Sequence, residues 1–219
     1  MASPRCNYQD DFMLRVMGRT DSINVRKVLW TANELDLAIE QENWGGAFAS
    51  TKSAEFVDLN PNAMVPVLQD GEFTLWESNS IIRYLANRYG AGRLYPQAAQ
   101  ERARVDQWLD WQAADLNRAW SYSFMALVRR SPAHQDQQAV TASLCEWTRF
   151  MAVLDGQLAR TGAYVAGQQF SLADIAVGLS VNRWFETPLQ HPRLPAVADY
   201  YQRLSERPGF LRFGRNGTP

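Results

Sequence analysis

A chain of 219 residues with 46% hydrophobic content can bury a sizeable core, so one large domain or two small ones are expected rather than disorder. Its 22 basic and 23 acidic residues nearly cancel, and the Lys and Arg are scattered, which argues against a nucleic-acid groove. No stretch reaches the roughly 18 consecutive apolar residues of a membrane span, and MASPRCNYQDDF lacks the apolar core of a signal peptide. The expectation is a soluble cytoplasmic protein with neither a membrane nor a nucleic acid as partner. Cys6 and Cys145 stand far apart without CxxC spacing and read as free thiols. His134 and His191 are the only histidines and read as surface or loop residues, so a His-based triad or a multi-His metal site is not expected.

After a polar extension over residues 1–12, FMLRVMG reads as a short strand ended by Gly18. In SINVRKVLWTANELDL the residues Val25, Val28, Leu29, Ala32 and Leu35 recur at helical spacing, and Asp21 or Ser22 offers the N-cap oxygen. A second strand fits 38–42. The run NWGGAFASTKSAEFVDLNPNA is rich in Gly, Ser, Asn and Pro and reads as an irregular segment with one short helix over 54–57. VPVLQ and EFTLW flank Asp70-Gly71, a hairpin signal, and a helix over 79–89 follows. Strand, helix, strand, short helix, hairpin and helix make a mixed sheet with helices packed on it.

Residues 91–97 read as a linker, and residues 98–219 look entirely helical, with periodic apolar spacing over 98–130, 135–161, 171–183 and 195–206. In QQFSLADIAVG, Ser171 and Asp174 form a capping box in which Asp stands in for Glu or Gln, and Phe170 is placed to staple onto Ile175. The role expected of this motif is structural. Trp108, Trp111, Trp120, Tyr122 and Phe124 read first as core, although some could line a substrate pocket. Arg26 and Arg83 fit internal ion pairing or a subunit contact.

The stretch MVPVLQDGEFTLWESNS carries the chemistry. The Val65–Pro66 bond can adopt cis cheaply, which would turn the Val65 backbone outward to pair with an extended peptide. The helix start at Ser78 offers free N–H groups and a positive dipole end to a carboxylate, while Glu77 could accept an amine. These features describe a receptor for a small zwitterionic peptide. A structural reading stands beside it, with Ser78 as a cap and Glu77 as a solvated acid.

VPVL, DG and LWESNSIIRYLANRY, together with Asn60-Pro61, Tyr95-Pro96 and FSLADIAVG, resemble the glutathione S-transferase family over the chain from about Met13 onward. The resemblance implies a thioredoxin-like α/β N-terminal domain (13–90) joined to an all-α C-terminal domain. It implies that the Val65 backbone pairs with the cysteinyl part of glutathione and that Glu77 and Ser78 hold its γ-glutamyl end. Thr51 and Lys52 become candidates for the glycyl carboxylate, although Lys52 reads equally well as a solvated loop charge.

Thiol chemistry needs the thiolate, and a free thiol has a pKa of about 8.5, so a site must lower it. The family places a Tyr, Ser or Cys after the first strand. Neither Tyr nor Cys occurs between Phe12 and Arg26, and TDSINVRKV resembles the Ser-type, theta-like bacterial pattern. Ser22 is then the donor to sulfur, Asn24 a second donor and Thr20 the reserve, while Ser22 also reads as a plain helix cap. The resemblance implies a cytosolic homodimer that detoxifies, using glutathione as co-substrate and no metal to attack a small hydrophobic electrophile. The alternatives are a glutathione-dependent enzyme of another class, above all a disulfide reductase, and a non-catalytic binding or assembly module.

Overall fold

Strand β1 (Leu14–Met17) is the pivot of the N-terminal half, seen in a computed structural model that describes residues 14–219. It pairs in parallel with β2 (Ile39–Glu42), Leu14 opposite Ile39, and antiparallel with β3 (Val67–Asp70), Val16 opposite Leu68. Strand β4 (Phe73–Trp76) completes the order β2-β1-β3-β4. The parallel pair requires a crossover, which α1 (Ile23–Glu34) supplies. Asp70 pairs with Phe73, so the two-residue loop is Gly71-Glu72, one position later than the Asp70-Gly71 signal suggests, with Gly71 at φ +60°. Asp70 instead accepts hydrogen bonds from Tyr84 and Tyr89, each 2.6 Å long, and so pins the hairpin to α3 (Ser78–Tyr89). The short helix α2 (Ala54–Leu59) starts at Ser53, whose hydroxyl accepts from Phe56 N–H.

The C-terminal half is helical, as expected, but the single helix over 98–130 is interrupted. Helix α4 (Ala99–Trp111) passes through a π-helical turn, Gln112–Leu116, into α5 (Asn117–Leu127). Helix α6 (Gln137–Thr161) is capped by Asp136, and α7 (Leu172–Glu186) is buried along almost its whole length. Helix α8 (Pro195–Ser205) is followed by α9 (Pro208–Phe213), which the sequence reading lacks. The Pro208-Gly209 pair reads locally as a turn, and only packing against Trp30 reveals a helix.

Helix α1 is buried on nearly every side, because it lies between α3 and the helical elements α7 and α9. Trp30 reaches from it to Phe170 and Phe210, with ring centroids 5.8 and 5.2 Å away. Arg83 of α3 bonds Asp106 and Asp110 of α4, each at 2.7 Å, an internal ion pair of the expected kind. Arg26 pairs with no Asp or Glu among the described residues and donates to the backbone oxygens of Thr218 at 2.8 Å and Pro219 at 2.9 Å.

The Asp174 carboxylate closes the capping box, accepting from Ser171 N–H at 2.9 Å and Ser171 Oγ at 3.0 Å. It also accepts from Val165 N–H at 2.9 Å and Tyr200 Oη at 3.1 Å. Burial pushes this carboxyl up to about 6, against the pull of those four donors toward the anion. Trp108, Trp120 and Phe124 are core, while Trp111 and Tyr122 are half-buried. Cys145 is free and exposed; Cys6 and the expected extension lie outside the described residues. His134 and His191 both sit in loops. No described helix is long and apolar enough to cross a membrane.

Candidate functional site

The site forms where three chain segments meet at the end of β1. A Cβ on Gly18 would stand 2.5 Å from Val25 Cγ2 and 2.9 Å from Val65 Cβ, so only glycine lets β1 end, α1 begin and the Val65 segment close up. The Val65–Pro66 peptide is cis. The Val65 N–H and C=O lie outside the sheet ladder and have no partner among the described residues. Asn60, almost fully buried, shapes this turn: its amide donates to Met64 O at 2.7 Å and accepts from Asn62 N–H at 3.0 Å. A Cβ on Gly45 would stand 3.4 Å from Thr51 Cγ2 and 3.9 Å from Val65 Cγ1, so Thr51 and the cis-proline segment flank the same glycine. Lys52 is exposed, with its N–H on Ser50 Oγ at 3.2 Å.

Ser22 occupies the N-cap position of α1 with extended backbone, and its carbonyl accepts from Arg26 N–H at 2.9 Å. Its side chain makes no capping bond, and the Asp21 carboxylate is engaged by Arg19 at 2.6 Å. Neither oxygen expected to cap α1 does so. The N–H groups of Ile23, Asn24 and Val25 therefore have no partner among the described residues, beside an unspent hydroxyl. Asn24 sits half-buried in that first turn. Thr20 is exposed and faces elsewhere, on a cavity of about 500 Å³ between α1, β2 and the C-terminal segment. Arg129, just past α5, comes within 3.8 Å of Asp21, so the end of α5 borders the start of α1.

The start of α3 repeats the pattern. Glu77, not Ser78, holds the N-cap position, at φ +71° and ψ +110°, a region a residue with a side chain seldom visits. Its side chain makes no capping bond and is exposed, while Ser78 is only 6% exposed and opens the helix. Capping by Ser78 is thus not what the structure shows. The structure also brings in two residues the sequence reading passes over. Lys27 is buried, and its Nζ donates to Asn79 Oδ1 at 3.1 Å and Gln112 Oε1 at 2.8 Å. A lone Lys beside Arg26 on an amphipathic helix reads as solvated, and a single Gln on a long helix carries no signal. Among the described residues, no group of three or more His, Cys, Asp or Glu could hold a metal ion.

A cis-proline segment outside the ladder and two helix starts without side-chain caps, on a thioredoxin-like sheet backed by a helical domain, define a two-domain protein of the thioredoxin-like class. Residues 14–87 match the family described as glutathione S-transferase, N-terminal domain, and residues 119–208 the corresponding C-terminal domain. Glutathione S-transferase GstB of Escherichia coli is 39% identical over 90% of this chain and 95% of its own. A theta class glutathione S-transferase from Xanthomonas axonopodis pv. citri, solved with glutathione bound, superimposes with a TM-score of 0.87 at 39% identity, covering 92% of this chain and 97% of its own. A dichloromethane dehalogenase of Methylorubrum extorquens is 32% identical over 80% of this chain and 65% of its own. The chain belongs to the glutathione S-transferase family.

Proposed function

We propose how this glutathione transferase holds and activates its thiol. The Val65 backbone pairs with the cysteinyl residue of glutathione, Glu77 accepts the γ-glutamyl ammonium, and the Ser78 hydroxyl with the first N–H groups of α3 takes the γ-glutamyl carboxylate. Thr51 and Lys52 receive the glycyl carboxylate. Ser22 donates its hydroxyl hydrogen to the sulfur, Asn24 adds its amide, and the open start of α1 contributes positive potential. Lowering a thiol from about 8.5 by roughly two units requires about 2.7 kcal/mol. One charge-assisted hydrogen bond, worth about 1.5–3 kcal/mol, is enough.

The thiolate then attacks an electrophilic carbon: a sulfur–carbon bond forms, the leaving group departs with its electron pair, and no covalent link to the protein is needed. The observation that carries this reading is the Ser22 hydroxyl, placed at a helix start and not spent on capping it. The second substrate, small and hydrophobic, would enter where the end of α5 borders Asp21, so a substrate panel should include a dihalomethane beside larger electrophiles and a disulfide. We place the glutathione unit at 13–90, the linker at 91–97 and the helical unit at 98–219. The working form in this reading is a cytoplasmic homodimer that detoxifies electrophiles, with no metal taking part.

Calorimetric titration of glutathione into the intact protein and into a Glu77→Ala, Ser78→Ala double variant tests the receptor. Binding to the first and its loss in the second is the expected result. Equal binding in both would remove these residues from the site.

A further inference from the structure

Lys27 is only 1% exposed, yet both its hydrogen-bond partners are neutral amide oxygens. One of them, Asn79, lies next to Ser78 in the first turn of α3 and donates its own amide to Leu109 O at 3.0 Å. The other, Gln112, is the first residue of the π-helical turn and is fully buried. It donates to Asn117 Oδ1 at 2.8 Å and Ser180 Oγ at 3.0 Å. One amine therefore joins the helix that carries Ser22, the helix that carries Glu77 and Ser78, and the α4–α5 junction, and through Gln112 it reaches α7. A π-helical turn inside a long helix recurs at functional positions, and Gln112 opens this one on the buried face that Val105, Trp108 and Leu109 of α4 mark out.

An amide or hydroxyl could have made this tie without the cost of burying a cation. Burial pushes the Lys27 amine down to about 7. The charged groups facing it are Arg183 of α7 and Arg83 of α3, which push the same way, and Glu77, which opposes them. Ammonium and neutral amine each carry enough hydrogens for the two observed bonds.

We propose that Lys27 is a positioning residue that couples glutathione binding to uptake of a proton: the γ-glutamyl carboxylate, seated at the start of α3, draws a proton from solvent onto Lys27 Nζ, and the resulting ammonium fastens Asn79 and Gln112 and so locks α3 to the helical domain. The step balances as amine plus one buffer proton giving ammonium. It rests on the placement of the γ-glutamyl carboxylate given above.

The probe is S-methylglutathione, which has no thiol proton to release, titrated calorimetrically at about pH 8 in buffers of different ionisation enthalpy. The wild-type protein is expected to take up a sizeable fraction of a proton per ligand bound, falling toward zero at about pH 6, where Lys27 is already charged. Lys27→Met is expected to bind about tenfold more weakly with that uptake lost. Lys27→Arg, charged throughout, is expected to bind without uptake. Binding to the wild type with no proton uptake, or with uptake that persists in Lys27→Met, overturns the proposal while leaving the glutathione site standing. No binding to the wild type overturns both. The wild-type arm alone decides the matter if a variant fails to fold.

Discussion

The start of α7 and the starts of α1 and α3 are built from the same residue types and end in opposite states. At α7 every oxygen in reach is spent: Asp174 accepts from Ser171 N–H, Ser171 Oγ, Val165 N–H and Tyr200 Oη, all within 2.9–3.1 Å. At α1 and α3 the Ser22 and Glu77 side chains make no capping bond, and Glu77 holds a positive φ. A hydroxyl or carboxylate at a helix start can satisfy the helix or a ligand. The closed box spends its polar groups on the fold, and the open ends leave theirs unspent.

The sharpest way to break this contrast is to remove the closed box. Asp174→Ala strands several buried donors, each costing about 1–3 kcal/mol, so a loss of about 3 kcal/mol or more is expected in urea unfolding. Glutathione affinity per folded molecule should stay unchanged.

Next in size, Ser22→Ala should lower kcat/KM about 100-fold, the scale of losing one donor to a developing anion. Capping residues usually cost about 1 kcal/mol when replaced by Ala, yet here the unfolding free energy should move by less than about 0.5 kcal/mol, because no capping bond is lost. Parallel urea unfolding and steady-state kinetics on the same preparation read both numbers.

Lys27 brings pH into the comparison. Its amine falls from 10.5 to about 7 on folding, so between these values the unfolded chain binds more protons than the folded one. Stability from this group therefore rises with pH across that window, by about 1 kcal/mol per pH unit above 7, and levels off below it, where both states are charged. Urea unfolding at a series of pH values should show this rise in the wild type and lose it in Lys27→Met.

The smallest effect belongs to Glu77. Glu77→Gly relieves the positive φ and should stabilise the fold by up to about 1 kcal/mol in thermal unfolding. It should also raise KM for glutathione, because the acid is gone. Better stability with poorer binding would mark Glu77 as a residue held for the ligand.

Much of this fold is legible in the sequence because its signals are local. Val25, Val28, Leu29 and Ala32 mark α1 by their spacing, and VPVLQ with EFTLW marks the hairpin, missing its loop by one residue. What escapes is set by distant packing. Lys27 carries no signal of its own until α3 and α7 pack on α1, and Gln112 shares the buried face of Val105, Trp108 and Leu109 with no apolar side chain to mark it. The site is half legible for the same reason. Capping and ligand binding call for the same Ser22 hydroxyl, and only the hydrogen bonds around it show that capping does not use it.

The most direct test of the open-helix-start reading is ultraviolet titration of the glutathione thiol bound to the wild-type protein and to Ser22→Ala. The expected result is a thiol that ionises about two units below its free value of about 8.5 in the wild type and returns close to that value in the variant. The same lowered midpoint in both proteins would contradict Ser22 as the donor to sulfur.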